Sequence, residues 1–189
     1  QSLERLGLLK TQRDLMLFSS GNSIEDECRT AVDALSNRIS RCASVSTSGW
    51  DTHSGNPGQN NYYNKLFGGL NYLVAALQST PGHVASSLAE ETTVVVVSEM
   101  GRAPYKSGTD GKGHWMYTSM MLWGSGVNGN QVVGDYDEYL NGAPMDLATG
   151  GSGETVLTPD HLGSTLMALA DIDPGDHLEI HDPITALLT

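Results

Sequence analysis

The stretch TTVVVVSEMGRAP, residues 92–104, decides the fold that this sequence predicts. Its four consecutive valines indicate a strand buried on both faces, as in a parallel sheet covered by helices. Glu99 and Arg102 lie two and five residues after the last valine, Val97. Sites in open α/β sheets form outside the carboxyl ends of the strands, so the same stretch predicts where a functional site would lie.

Helical patterns surround this strand. Apolar residues at helical spacing predict helices over 2–18, over a segment that starts at the N-cap Ser23, over 60–80 and over a segment capped by Thr158. Alternation in CASVSTS, 42–48, predicts a further strand. The order helix, strand, helix, strand, strand, helix predicts an α/β fold with a mostly parallel sheet. Residues 1–189 form either one domain or the C-terminal segment of a larger one.

The charge balance excludes nucleic acid as a partner. Lys and Arg total 10 against 22 Asp and Glu, a formal charge of −12, so no basic stripe exists to neutralise phosphates. No apolar run reaches the roughly 20 residues that span a bilayer. Because Gln1 starts inside a helical pattern, we expect a mature product or a fragment rather than a chain with its secretory signal.

The two cysteines, Cys28 and Cys42, are too few for a disulfide framework. In an exported protein they could form one bridge that closes a short loop. Two free buried thiols are the alternative.

Three polar clusters could meet at one edge of the sheet. Asp51 and His53, spaced i and i+2, leave the same face of an extended chain after the first predicted strand. Glu99 and Arg102 follow the valine strand, and His114 lies in the Gly-rich loop GTDGKGHW, 108–115. One carboxylate and two imidazoles on converging loops predict a Zn²⁺ site.

Each cluster also has a purely structural interpretation. Asp51 could cap a turn while His53 packs nearby, and Glu99 could be a solvated strand end. His114 could form a surface pair with Trp115. Arg102 could hold an anionic substrate or only pair with Glu99.

Weaker candidates lie elsewhere in the chain. GDYDEYLNG, 134–142, brings three carboxylates together, but a solvated turn is favoured over a Ca²⁺ loop because the oxygens are irregularly spaced. His161, in the first turn of a capped helix, is predicted at the surface. No role is predicted for the remaining histidines, which are His83, His177 and His181.

Four stretches also resemble a known family, in the same order. These are GWDTHSGN (49–56), TTVVVVSEMGRAP (92–104), GHWMYTSMMLWGSGVNGNQVVG (113–134) and LTPDHLGSTLMALADIDP (157–174). Together they resemble the C-terminal half of the bacterial sulfatase-like family known as domain of unknown function 1501, over roughly residues 25–189. That family is similar to the alkaline phosphatase superfamily.

The resemblance implies an exported, two-metal hydrolase of phosphate or sulfate esters, in the periplasm, at the cell surface or outside the cell. Asp51, His53 and His114 would bind the first metal, with Zn²⁺ favoured and Mn²⁺ or Ca²⁺ as alternatives. Glu99 would lean toward a second metal, and Arg102 would hold the oxyanion. Two metals clamp the attacking and leaving oxygens of an in-line displacement.

The sequence departs from that pattern at several points. Met100 stands where the superfamily has a His, and a thioether is a poor ligand for Zn²⁺. Asp51 and His53 are more tightly spaced than in the relatives, and the usual Ser or Thr nucleophile has no equivalent before Asp51. We therefore expect this chain alone to be inactive. The alternative function is a non-catalytic surface-assembly module with a degenerate metal site.

The partners that follow from this interpretation are few. A hydrolase would take a small anionic ester, whereas a structural module would take no small molecule. Either would associate with a missing N-terminal half or with identical subunits.

Overall fold

The computed structural model describes residue 10 and residues 23–108, 110–179 and 182–189. The chain divides into two compact units. The first comprises Gln1–Thr92 with Lys106–Lys112, and the second comprises Thr93–Tyr105 with Gly113–Thr189. The helices predicted over 2–18 lie outside the described residues except at residue 10.

Helix α1, Ile24–Ser36, begins at the predicted cap. The Ser23 hydroxyl accepts from the backbone N–H of Asp26, and the Asp26 side chain accepts from the backbone of Ser23. This capping box satisfies two of the N–H groups that a helix start leaves without partners. Cys28 and Val32 are buried on the inner face of the helix. The prediction for this helix is confirmed.

Helix α2, Gln59–Ser79, packs against α1 in the first unit. Gly69 lies where the two helices meet, and a Cβ there would come within 2.5 Å of an Ile24 methyl group. The Arg29 guanidinium lies over the Tyr72 ring at 4.9 Å. This helix was also predicted, and it ends just before Pro81.

The prediction of a strand over 42–48 is wrong. Residues 40–55 form no helix or strand, and most of them are exposed. The Ser40 hydroxyl donates to the Cys42 carbonyl at 2.5 Å and accepts from the Cys42 N–H at 3.2 Å. Small polar side chains of this kind satisfy the backbone locally and so compete with a sheet ladder.

The valine strand does form, as β1, Thr93–Val96, in the second unit. It pairs antiparallel with β4, Met121–Gly124, in the register Val94 to Trp123. The other pair is β2, Gly101–Arg102, with β3, His114–Trp115, which is also antiparallel. The fold is therefore mixed α/β. Among the described residues the named strands pair only as antiparallel ladders, which differs from the predicted parallel sheet.

The burial of β1 also differs from expectation. All four of its residues are only partly buried, and Val97 just beyond it is 56% exposed. A strand covered on both faces would be buried throughout.

Helix α3, Pro159–Leu169, begins at Thr158 as predicted and carries Ser164 and Thr165 fully buried. A small core of Met145, Ile184 and Ala186 lies in the same unit. The Thr165 hydroxyl links helix and core, since it accepts from the Ile184 N–H at 2.9 Å.

Four 3-10 turns complete the described secondary structure, at Asn56–Gly58, Leu88–Glu91, Pro174–Asp176 and Thr185–Leu187. Within the described part of the chain, no helix combines the length and apolar character needed to cross a membrane.

Candidate functional site

Asp51 and His53 lie side by side in the loop before α2. The Asp51 Oδ1 and the His53 Nε2 are 3.1 Å apart, with 64% and 57% of the two side chains exposed. The i, i+2 spacing thus brings a carboxylate oxygen and an imidazole nitrogen together, as predicted, and both open to solvent. Such a pair can hold a proton between its members or offer two ligand atoms to a cation.

Trp50 anchors this loop to α2. Its ring centroid lies 5.6 Å from that of Tyr62 and 4.9 Å from that of Tyr63, the latter in an edge-on arrangement. Gly49 has a φ of +93°, and a Cβ on it would approach the Tyr62 ring at 3.0 Å. A glycine is therefore needed where the loop turns onto the helix. The tryptophan next to the polar pair is explained by this aromatic anchoring.

Hydrogen bonds from polar side chains also hold the loop that carries Asp51 and His53. The buried Gln59 donates from its side-chain nitrogen to the Trp50 carbonyl at 2.7 Å and to the Thr52 hydroxyl at 2.8 Å. The Thr52 hydroxyl in turn donates to the Asn56 side chain at 2.9 Å. The backbone between Asp51 and His53 is thereby held, which limits the motion of the two side chains that it carries.

The Gly-rich turn Lys106–Lys112 closes over this loop within the first unit. The Lys112 N–H donates to the Thr52 carbonyl at 3.2 Å, and the Asn56 N–H donates to the Asp110 carbonyl at 2.9 Å. Gly111 packs directly on the His53 carbonyl, where any Cβ would overlap it. The predicted close bending of this loop is confirmed at Gly111, and Gly108 has a φ of +63°.

Arg102 and His114 are brought together in the second unit. They are directly opposite each other in the β2–β3 pair, so their side chains leave the ladder on the same face. His114 is exposed and Arg102 is half-buried. Glu99 precedes β2 as an exposed residue and accepts from the Ser98 hydroxyl at 3.4 Å, while Met100 is partly buried.

The two cysteines are free thiols. Cys28 is buried and Cys42 is exposed, so the structure contains neither the predicted bridge nor the alternative of two buried thiols. Burial raises the pKa of the Cys28 thiol, and the nearby carboxylates of Glu27 and Glu25 raise it further.

The acidic turn after Gly134 is organised by its own backbone. Asp137 accepts from the N–H groups of Tyr139 and Asn141, both at 2.8 Å, and from the Asn141 side chain at 3.1 Å. These hydrogen bonds lower the pKa of the Asp137 carboxyl. The bonds from Asn141 have the larger effect, and the bond from the Tyr139 N–H adds to it. The Asp137 oxygens thus satisfy a tight turn, which agrees with the interpretation favoured over a Ca²⁺ loop.

The prediction that His161 lies at the surface is wrong. The side chain is only 5% exposed, and its Nδ1 lies 2.9 Å from the Thr158 hydroxyl and 3.1 Å from the Thr158 backbone nitrogen. His161 therefore stands at the position where a capping box usually carries Glu or Gln. His181 lies outside the described residues, and His177 is exposed.

His83 also has a structural role that the sequence did not reveal. Its Nε2 lies 3.0 Å from the Leu35 carbonyl, and its Nδ1 accepts from Arg38 at 3.0 Å. The ring thus supports the carboxyl end of α1. Sequence inspection likewise missed Gln59, because a single glutamine at a helix start carries no periodic signal.

The sequence profile described as "Protein of unknown function (DUF1501)" matches residues 21–178. The chain belongs to this family, which confirms that part of the resemblance. No curated protein and no solved structure matches the chain.

Proposed function

We propose that this chain is part of an exported, metal-dependent hydrolase of phosphate or sulfate esters. The observation that carries the proposal is the Asp51–His53 pair, which offers an oxygen and a nitrogen 3.1 Å apart on a braced and solvent-open loop. A divalent ion there would act as a Lewis acid on the ester oxygens. Export is supported by the resemblance and by the formal charge of −12, which suits a soluble exported protein.

The pair fits Zn²⁺ in ligand type and spacing. Zinc binds carboxylate oxygen and imidazole nitrogen at about 2.0–2.2 Å, and two such ligands at a tetrahedral angle lie about 3.4 Å apart. The observed separation of 3.1 Å is close to that value. Mn²⁺ and Ca²⁺ remain alternative ions, although Ca²⁺ prefers six or more oxygen ligands.

We propose His114 as the third ligand. The support is the resemblance, which implies His114 as a ligand of the first metal, and the exposure of the His114 side chain. Three protein ligands with one open position are typical of catalytic zinc.

Arg102 is proposed to hold the substrate oxyanion. It shares a face of the β2–β3 ladder with His114, and a guanidinium can bind phosphate or sulfate oxygens in a bidentate manner. Glu99, which is exposed just before β2, is proposed as a ligand of a second metal. Met100 weakens that second site because its thioether is a poor ligand.

The finer fold assignment is also a proposal. We infer that β1 belongs to a larger, mostly parallel, sulfatase-like sheet. The support is its partial burial and the 56% exposure of Val97, since an apolar strand of this kind is stabilised by further cover. The additional chain would come from an N-terminal half or from identical subunits.

The test is Zn²⁺ binding measured by competition with a chromogenic chelator at neutral pH. We expect one weakly bound Zn²⁺ per chain, and at least about a tenfold loss of affinity in His53→Ala, Asp51→Asn and His114→Ala. Each alanine variant removes one ligand, and Asp51→Asn replaces a carboxylate by a weaker, neutral amide ligand. His177→Ala is the matched control, since it removes another exposed histidine. Equal affinity in all five proteins would refute the metal site.

A non-catalytic module is the second candidate, and one observation favours it. The Thr52 hydroxyl, which lies between the two proposed ligands in sequence, is engaged by Asn56 and Gln59. It is therefore unsuited to attack an ester. A chain that binds Zn²⁺ but hydrolyses nothing even with its natural partner chain present would support this alternative.

A further inference from the structure

An aromatic pocket lies within the second unit, beside the β2–β3 ladder. It has a volume of about 160 Å³ and is lined by Arg102, Pro104, Trp115, Tyr117, Tyr136 and Leu140. That volume far exceeds the roughly 10–15 Å³ that a water molecule needs, and it is below the roughly 300 Å³ of the smallest drug-sized sites. The space therefore suits one small ring with its substituents.

Trp115 fixes the wall shared with the acidic turn. Its indole N–H donates to the Leu140 carbonyl at 2.9 Å, and Tyr105 packs edge-on against its ring at 5.9 Å. The turn that carries Leu140 is held by the Asp137 carboxylate through the N–H groups of Tyr139 and Asn141. The acidic turn thus positions two of the lining residues, Tyr136 and Leu140.

Tyr117 and Tyr136 are also held in place. The Tyr117 ring lies against Gly142, where a Cβ would come within 2.9 Å, and the Tyr117 carbonyl lies against Gly101 so closely that any Cβ there would overlap it. The Tyr136 hydroxyl is 3.0 Å from the Ser119 hydroxyl. The walls are therefore preorganised, which reduces the entropy that a ligand must overcome on binding.

The chemistry of the lining defines the ligand class. Arg102 is the one charged residue among the six that line the pocket, and aromatic rings make up half of the lining. Aromatic faces favour stacking with a ring, and a guanidinium favours an oxyanion. A ligand that satisfies both needs a ring and a negatively charged oxygen group a short distance apart.

We infer that this pocket is a binding subsite for a small ring-bearing oxyanion, such as the sulfate or phosphate ester of a single ring. The ring lies against the aromatic walls, and the ester oxygens meet Arg102. The inference rests on the proposed function at one point only, which is that Arg102 binds the oxyanion of the substrate. None of the six residues that line the pocket is a proposed metal ligand, so ligand binding there requires no metal.

The experiment measures binding of phenyl sulfate, cyclohexyl sulfate and inorganic sulfate by calorimetry, with EDTA present so that the metal proposal is not tested at the same time. We expect both ring esters to bind at least about tenfold more tightly than inorganic sulfate. Phenyl sulfate binding above cyclohexyl sulfate would assign an aryl ring, and the reverse order would assign a saturated ring such as a sugar.

Substitutions then assign the binding to this pocket. Tyr136→Ala is expected to weaken phenyl sulfate binding by about 3- to 10-fold, and Arg102→Gln by at least about tenfold. Tyr139→Ala is the matched control, since Tyr139 lies in the same turn and is 71% exposed but does not line the pocket. Tyr136→Phe keeps the ring wall and is expected to bind like the wild type.

Three results would overturn the inference. They are inorganic sulfate binding as tightly as the ring esters, an equal loss in Tyr136→Ala and Tyr139→Ala, and no measurable binding of a ring ester by the folded wild-type chain. Circular dichroism of each variant confirms that a loss of affinity is not a loss of fold. A wild-type chain that binds the ring esters but no Zn²⁺ would refute the proposed metal site and leave this subsite intact.

Discussion

Glu91 organises an entire turn through one carboxylate. Its oxygens accept from three successive backbone N–H groups, those of His83, Val84 and Ala85. The N–H groups of Val84 and Ala85, followed by that of His83, lower the pKa of Glu91 from its ordinary value of 4.5 to about 2. The ionised form therefore stabilises the segment that connects α2 to β1.

The first prediction concerns the pH dependence of this turn. A carboxyl group whose pKa is lowered by folding contributes stability above its unfolded pKa, and that contribution is lost as pH falls through its folded pKa. Relative to Glu91→Gln, the wild type should be more stable above about pH 4.5, and the difference should shrink between about pH 4.5 and pH 2. Urea unfolding at several pH values measures this.

The exposed Glu138 supplies the control for that experiment. Glu138→Gln removes the same charge from a different turn, so its stability should follow the wild type across this pH range. A stability difference between wild type and Glu91→Gln that stays constant down to pH 2 would contradict the assigned role of Glu91.

The second prediction concerns thiol reactivity. Thiolate is the reactive form, so the buried Cys28, whose pKa is raised, should react slowly, and the exposed Cys42 should react quickly. We expect a disulfide reagent at pH 8 to modify one thiol in the native protein and two after unfolding. Cys42→Ser should abolish the fast phase, whereas no free thiol in the unfolded, unreduced wild type would show that the bridge forms after all.

At the scale of elements, the contact between the 106–112 turn and the Asp51–His53 loop depends on one glycine. A Cβ at Gly111 would overlap the His53 carbonyl, whereas nothing lies within 4 Å of a Cβ at Gly113. The two positions are therefore well matched for testing whether the turn braces the proposed ligands.

The third prediction follows from that difference. Gly111→Ala should lower the free energy of unfolding by about 1–3 kcal/mol, because backbone must move to relieve the overlap. It should also weaken Zn²⁺ binding, since the loop that carries Asp51 and His53 would shift. Gly113→Ala should change both quantities little. Chemical denaturation and chelator competition measure the two effects, and equal behaviour of the variants would contradict the bracing role.

At the scale of the whole molecule, the fourth prediction is that this 189-residue chain alone does not hydrolyse aryl phosphates or aryl sulfates appreciably. In-line displacement needs a positioned, activated oxygen nucleophile. The Thr52 hydroxyl is engaged by its neighbours, and Met100 leaves the second metal poorly supported. Assays with added Zn²⁺, Mn²⁺ or Ca²⁺ measure turnover. Robust hydrolysis that disappears in His114→Ala would contradict the prediction.

Local signals in the sequence were sufficient to predict the three helices α1, α2 and α3. Ser23 and Thr158 predicted where two helices begin, and Pro81 predicted where one ends. These predictions succeed because helix capping and helix termination depend on residues within one turn. The i, i+2 spacing of Asp51 and His53 likewise predicted that their side chains lie close together, since only two peptide units separate the two residues.

Contacts between distant segments were decided only by the tertiary structure. A run of valines favours a strand but does not specify which strand pairs with it. The antiparallel pairing of β1 with β4 could therefore not be predicted from residues 94–97 alone. The burial of His161 and the bracing of Thr52 by Lys112 also depend on residues far away in the chain. Periodicity and caps report local free energies, whereas strand pairing, burial and site geometry depend on which segments come together when the chain folds.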